Sequence, residues 1–364
     1  MAMKHVNLPV FIPHLGCPFT CVFCDQFQIT AQNTVPSPGM VTKMIQDSLA
    51  TLPPNAASVE VAFFGGSFTA LEEAMQEDYL GAVQPFLRDN RVNGIRISTR
   101  PDCLDSHRLS FLSAHGVRTI ELGIQSFSDE VLQASGRGYS RSTAVSACRQ
   151  VKQNGFSLGI QLMVGLPGDN YARDMESTEE AIRLQPDMVR IYPTLVIAGT
   201  RLAKLYHSRL YQPLSLEEAV AGCKDMFLHF QDHDIEVIRM GLHPDEDLRQ
   251  PGSVVAGPFH PAFGELVEQA VFREQAEMLL KRWLNFSPAR QLTLLVHPRD
   301  VSRLIGPGRA NLHYLQQLFH LDQVKVLASS DIEKDAVAVS PTGGSSPQAI
   351  LGRKEFYQRY WCKG

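Results

Sequence analysis

The sequence predicts an α/β protein built on parallel strands, followed by a smaller C-terminal α+β unit. Three observations predict it. Short β-branched apolar runs recur from Val6 to about Leu195, and each is followed by a longer stretch with helical spacing. Most of these runs end in a cluster of Gly, Pro, Ser or Gln, the residues that turn a strand into a loop. The alternation stops near residue 240, after which the pattern changes character.

Taken in order, the strand candidates are Leu8–Ile12, Val59–Phe64, Gly94–Ser98, Thr119–Ile124, Ser157–Val164 and Met188–Pro193. Six βα units of this kind make a parallel sheet. Strands covered by helices on both faces explain runs that are nearly continuous in apolar residues. Periodicity alone does not separate a barrel from an open doubly wound sheet. Both collect ligands at the C-terminal ends of the strands, so the residues just after each run are the ones that bear on function. Leu216–His233 has the spacing of one more helix. A Pro/Gly-rich stretch, Gly241–Gly264, then reads as a loop, and Glu265–Leu284 as a helix. A compact unit from Gln291 to about Ala328 follows. The Gly, Ser and Pro residues around Pro341–Pro347 predict a loose tail before Arg353–Trp361. The expected organisation is a sheet domain over 1–240, a connecting loop and helix over 241–290, and a C-terminal unit with its tail over 291–364.

The 364 residues are 44% hydrophobic and 20% charged, with no apolar run of the roughly 18 to 20 residues that cross a bilayer. Met1–Pro13 offers one lysine and no sustained apolar core, so a secretory signal is not expected and a cytoplasmic location is. A net charge of −4 excludes nucleic-acid binding by bulk charge alone.

Seven cysteines is an odd number, and Cys17, Cys21 and Cys24 crowd into HLGCPFTCVFCDQ, directly after the first strand candidate. Such crowding argues for a metal or cluster site in a reducing compartment rather than a disulfide framework. Three thiolates on one tight loop are able to hold three irons of a 4Fe-4S cube and leave the fourth open to an external ligand. The alternative is structural zinc, which takes four protein ligands, with His14 as the fourth. Cys103, Cys148, Cys223 and Cys362 read as ordinary thiols.

With Phe23 before its last cysteine, this triad resembles the signature of radical S-adenosylmethionine (SAM) enzymes. Further runs resemble the catalytic subunit of Elongator, a tRNA-modifying enzyme. They are Phe64-Gly65-Gly66-Ser67-Phe68-Thr69, Ile97-Ser98-Thr99-Arg100-Pro101-Asp102, Glu121-Leu122-Gly123-Ile124-Gln125-Ser126, Gly165-Leu166-Pro167-Gly168 and the stretch from Ile191 to Thr200. The resemblance covers roughly residues 5 to 240. The cysteine spacing itself is closer to that of the oxygen-independent coproporphyrinogen oxidases, and Ser98 stands where Elongator sequences carry Glu.

The resemblance implies a partial (β/α)6 TIM-like barrel, a 4Fe-4S cluster and SAM, and a one-electron reductant such as flavodoxin or ferredoxin. It implies that Cys17, Cys21 and Cys24 hold the cluster. Gly65 and Gly66 would admit backbone groups to the methionine amino group, with Ser67 adding a hydroxyl. Arg137 would pair with the methionine carboxylate through its guanidinium fork. Gln125 and Gln161 would serve the ribose hydroxyls, since an amide both donates and accepts.

No acetyltransferase domain is recognised after residue 240. The segment from Leu292 to Ser329 instead reads strand, helix, Gly turn, helix, strand, and is similar to a minimal KH-type RNA-binding core. Gly306-Pro307-Gly308-Arg309 would be its GxxG loop, with Arg309 in place of the second glycine. Phe286 to Gly364 carries ten Lys/Arg against six Asp/Glu, so this end is +4 and the remainder −8. His243 and His260 lie in the Pro/Gly-rich connection and read as structural. The expectation is a radical SAM enzyme that modifies an RNA, tRNA or rRNA, with no membrane partner. The alternatives are a radical enzyme acting on a small molecule such as a tetrapyrrole, and a non-catalytic cluster or haem carrier.

Overall fold

The computed structural model describes residues 4–12, 17–18, 21–24, 35–52, 56–242, 250, 252–344 and 346–361. They form two compact units, residues 1–216 with 235–261, and residues 217–234 with 262–364.

The first unit is organised by one parallel sheet of seven strands in sequential order. Its strands are β1 (Lys4–Ile12), β2 (Ala56–Gly65), β3 (Gly94–Thr99), β4 (Val117–Gln125), β5 (Ser157–Val164), β6 (Met188–Pro193) and β8 (Glu236–Met240), with β7 (Val196–Ile197) outside the sheet. Sequential order with parallel pairing throughout is the order of a barrel, left open here between β1 and β8. Alternate residues of all seven strands line one cavity, among them Phe11, Glu60, Arg96, Glu121, Gln161, Arg190 and Ile238. The sheet therefore curls around that cavity, as a partial TIM-like barrel.

The outward residues explain the helices. Val61, Phe63, Ile95, Ile97, Ile120, Leu122, Leu158, Ile160, Val189 and Ile191 are at most 1% exposed. The crossover helices that cover them start on side-chain caps. Asp105 accepts from the Arg108 N–H, Ser140 from Thr143 and Asn170 from Arg173, each fixing where a loop ends and a helix begins.

Two expectations change here. The sheet has seven strands, not six: β8 adds an edge strand that, among the described residues, pairs with β6 alone. Its short Glu-Val-Ile-Arg-Met run has none of the continuous apolar character expected of a buried parallel strand. The strands are also not apolar on both faces. Their inward positions carry Glu60, Arg96, Ser98, Thr119, Glu121, Gln125, Gln161 and Arg190, because that face lines the cavity and is not covered by helices. The Pro/Gly-rich stretch contains β9 (Val254–Ala256), which pairs antiparallel with β7, and the next helix runs Phe263–Phe286.

The second unit is a four-stranded mixed sheet in the order β11-β10-β12-β13, from β10 (Gln291–Val296), β11 (Gln323–Ala328), β12 (Val337–Pro341) and β13 (Ala349–Leu351). β10 runs parallel to β11 and antiparallel to β12. The residues around Pro341–Pro347 are not a loose tail. They join β12 to β13, and Val337, Ala338 and Val339 are fully buried. Gly343, at φ +80°, and the Gly344 N–H bonded to the Pro341 carbonyl turn the chain there. No helix of the described residues is long and apolar enough to cross a membrane.

Candidate functional site

The cavity inside the first unit has a volume of about 1490 Å³. Cys17, Cys21, Cys24, Gly65, Gly66, Ser67, Gln125, Arg137 and Gln161, singled out from the sequence, all line it. Parallel strands explain this convergence, because all their C-terminal ends and following loops open on the same side.

The cysteine loop is fixed by its middle. The Val22 N–H donates to the Ser135 carbonyl at 3.1 Å, and the Val22 carbonyl accepts from the Leu202 N–H at 2.7 Å. The Val22 side chain is 2% exposed among Val196, Leu202 and Ala203, with Phe23 packed beside it. The apolar residues between the cysteines thus anchor the loop and leave the thiols facing the cavity. Cys24 closes a turn onto the Cys21 carbonyl at 3.2 Å, and Cys17 Sγ lies 3.6 Å from Ser67 Oγ.

Two guanidinium groups flank Cys21. Arg137 Nη1 is 3.0 Å from Cys21 Sγ, and Arg100 Nη1 is 3.9 Å away. Arg137 also donates through Nε to the Tyr139 hydroxyl at 2.9 Å and through Nη2 to the Gly123 carbonyl. Arg100 is clamped by Asp102 through two bonds of 2.9 Å and donates to the Arg137 carbonyl. Both guanidiniums lie over the Tyr139 ring, at 5.1 and 5.2 Å. Burial works against the charge of Arg137, but Tyr139 and Cys21 outweigh it and raise its pKa.

Three thiols around this cationic corner fit an anionic cluster that takes one thiolate per iron. Among the described residues no group of three thiol, imidazole or carboxylate side chains converges as the ligands of a single ion do. His14, the candidate fourth ligand of a zinc site, lies outside the described residues, as do His243 and Cys362. His260 is half-buried after β9 and is not among the cavity-lining residues. Burial pushes the Cys103 thiol up to about 11 and the Cys148 thiol to about 12, so both stay protonated at neutral pH. Cys223 is fully buried.

Gly65 is a glycine for a local reason. At φ +107°, a Cβ there would stand 2.8 Å from the Ile12 carbonyl oxygen, and the Gly66 N–H donates to that same oxygen at 2.7 Å. Gln125 ends β4 at φ +70°, where the register with β5 shifts, and its Oε1 accepts from Gln161 Nε2 at 3.2 Å. The two glutamines thus form one amide pair on the cavity wall.

Below this rim lies a feature that the sequence reading missed, a charged floor. From β3, Arg96 donates to Glu60 of β2 through Nε at 2.9 Å and to Glu121 of β4 through Nη1 at 2.8 Å, and it reaches Met188 Sδ of β6 at 3.0 Å. From β6, Arg190 grips Glu121 through Nε at 2.5 Å and Nη2 at 3.1 Å. Thr119 donates to Glu60 at 2.9 Å. Burial alone would raise the Glu121 pKa, but Arg190 and Arg96 outweigh it and hold the carboxyl below its ordinary value. Room for Glu121 comes from Gly159 on β5, where a Cβ would meet the Glu121 Cγ at 2.8 Å. Arg100 and Tyr139 were also missed. The signal for Arg100 was its place at the end of β3, where a parallel barrel puts its working residues.

Comparison with known proteins agrees with this geometry. Residues 11–182 match the Radical SAM superfamily model, and residues 186–273 match the model of the Radical SAM C-terminal domain. The mouse Elongator complex protein 3 is 30% identical over 207 residues, 50% of this chain and 38% of that protein. A tRNA uridine(34) acetyltransferase of Methanocaldococcus infernus is 30% identical over 182 residues, 44% of this chain and 34% of that protein. The chain thus matches little more than a third of the length of these relatives. Among solved structures, the archaeal Elp3 of Methanocaldococcus infernus with its N-terminus (1–46) deleted superposes with a TM-score of 0.59 at 22% identity, over 75% of this chain and 64% of that one. That likeness shows a shared fold. Since the two models together span residues 11 to 273, from the first strand through the barrel and beyond, the chain belongs to the radical SAM superfamily and is an enzyme of that family, which implies a 4Fe-4S cluster and SAM.

Proposed function

We propose that this radical SAM enzyme modifies an RNA, and that the RNA is a tRNA. The observation that carries the reading is the similarity of the barrel, over about half the chain, to Elongator complex protein 3 and to an archaeal tRNA uridine(34) acetyltransferase. A second support is the chain's net positive C-terminal end. There Pro307–Ala310 are exposed between two short helices, with Gly308 and Arg309 both in the left-handed region. We assign this turn to the RNA backbone, as a KH-like contact.

Within the barrel, Cys17, Cys21 and Cys24 would hold three irons of the cluster, leaving the fourth for SAM. The chemistry that cluster and SAM supply when bound is a 5'-deoxyadenosyl radical. Everything else falls to the chain. Arg137 would hold the methionine carboxylate, Gly65, Gly66 and Ser67 would line its amino end, and the Gln125–Gln161 pair would meet the ribose hydroxyls.

The test is anaerobic reconstitution with and without tRNA, together with a comparison of modified nucleosides from cells that have and lack the gene. The expected result is tRNA-stimulated formation of 5'-deoxyadenosine and a nucleoside missing from the deletion strain. Deoxyadenosine formation indifferent to any RNA, with identical nucleoside profiles, would sink the RNA reading while leaving the radical chemistry in place.

A further inference from the structure

The charged floor crosses the barrel, and its top is not fully used. Arg190 extends from β6 to lie over the Phe64 ring of β2, 5.4 Å from the centroid. Glu121 occupies its Nε and Nη2. Its remaining amino group, Nη1, reaches the Tyr192 hydroxyl at a long 3.5 Å. A planar cation and an aromatic ring thus stand together on the cavity wall, with a donor to spare.

The charges decide what such a surface takes. Two carboxylates, Glu60 and Glu121, face two guanidiniums, Arg96 and Arg190, with His5 Nε2 3.3 Å from Glu60, so the four charges balance. A phosphate or carboxylate finds no surplus guanidinium among them. A neutral planar ring bearing a carbonyl finds a stacking face and a hydrogen-bond donor, the two things by which proteins hold an unstacked base.

We propose that Arg190 and Phe64 form the seat of a nucleobase drawn out of the RNA, with Glu121, Arg96 and Glu60 as positioning residues that fix the guanidinium. This rests on the RNA reading above and adds the contact that selects the base. Arg190 is the register partner of Gln161, so the seat adjoins the Gln125–Gln161 pair, inside the same cavity as the cysteines.

The experiment uses the full-length protein, anaerobically reconstituted, and fluorescently labelled RNA pentamers of U, C, A or G beside an abasic ribose-phosphate pentamer. Anisotropy should show at least one base bound about tenfold more tightly than the abasic strand, the scale of one stacked base. Arg190→Lys keeps a cation for Glu121 but loses the planar fork, and Phe64→Leu keeps the apolar volume but loses the ring. Each should bring the base-to-abasic ratio towards one with SAM affinity kept; Phe64→Leu should also keep its melting temperature, whereas Arg190→Lys, which gives up the two-point grip on Glu121, should melt lower. A merely structural role for Arg190 would move the melting temperature and not this ratio. If Arg190→Lys does not fold, Phe64→Leu alone decides. Equal binding of abasic and base-bearing strands, or a ratio untouched by both substitutions, overturns the proposal and leaves the RNA reading standing. If no strand binds and no tRNA stimulates turnover, both fall together.

Discussion

Nη1 of Arg137 lies 3.0 Å from Sγ of Cys21, with the guanidinium buried and its other nitrogens bonded to Tyr139 and to the Gly123 carbonyl. One residue therefore ties the cysteine loop to the end of β4. Arg137→Lys keeps the charge but cannot satisfy three directions at once, because an ammonium lacks the rigid fork. The expected outcome is a protein that still takes up iron, since the three thiols remain, but binds SAM on the order of tenfold or more weakly. Iron analysis beside a calorimetric titration with SAM separates the two effects. Loss of iron in step with SAM would instead make Arg137 a support of the cluster loop.

Much of this site was legible because parallel strands deliver their loops to one side. Once Cys17, Gly65, Gln125, Arg137 and Gln161 were placed after or near the ends of successive runs, their convergence followed from topology. The floor was not legible. Arg96, Glu121 and Arg190 sit inside runs whose neighbours, Ile95, Ile97, Ile120, Leu122, Val189 and Ile191, are so apolar that the charges read as interruptions. Their meaning is set by partners 25 to 69 residues away, which no local pattern records. Likewise β12 and β13 were hidden by the Gly, Ser and Pro of the turn between them.

Gln125 holds φ +70° without being glycine, a conformation that costs about 1 kcal/mol and persists where function holds it. Gln125→Gly relieves that strain while removing the amide that pairs with Gln161. Its melting temperature should stay near that of the parent, whereas Gln125→Ala, which keeps the strain, should melt lower. Both should lose SAM affinity by a similar factor, about tenfold for a lost pair of hydrogen bonds. A glycine variant that binds SAM normally would remove Gln125 from the cofactor's surroundings.

Gly65→Ala asks for a methyl group 2.8 Å from the Ile12 carbonyl oxygen at a backbone φ of +107°. Neither neighbour is a flexible side chain, so the register of β1 against β2 has to shift. The expected cost is on the order of 2–4 kcal/mol, read by urea denaturation.

Asp169, half-buried, and Asp174, buried, make a carboxyl pair at the start of the helix Tyr171–Arg183. Burial, and then the charge of Asp169, push Asp174 up to about 10. A carboxyl whose folded pKa is raised binds its proton more tightly in the folded chain than in the unfolded one. Its contribution to stability is full below about pH 4, the unfolded value, and is lost as the pH climbs towards and through 10. Stability should therefore fall with pH across the neutral and mildly alkaline range, at up to about 1.4 kcal/mol per pH unit for one proton. Asp174→Asn has the shape of the neutral acid and no proton to lose. Chemical denaturation from pH 6 to 9 should show the parent losing stability more steeply than the variant, so that the two curves diverge as the pH rises. Parallel curves would mean that Asp174 is already ionised in the folded protein and that its partner carries the proton instead.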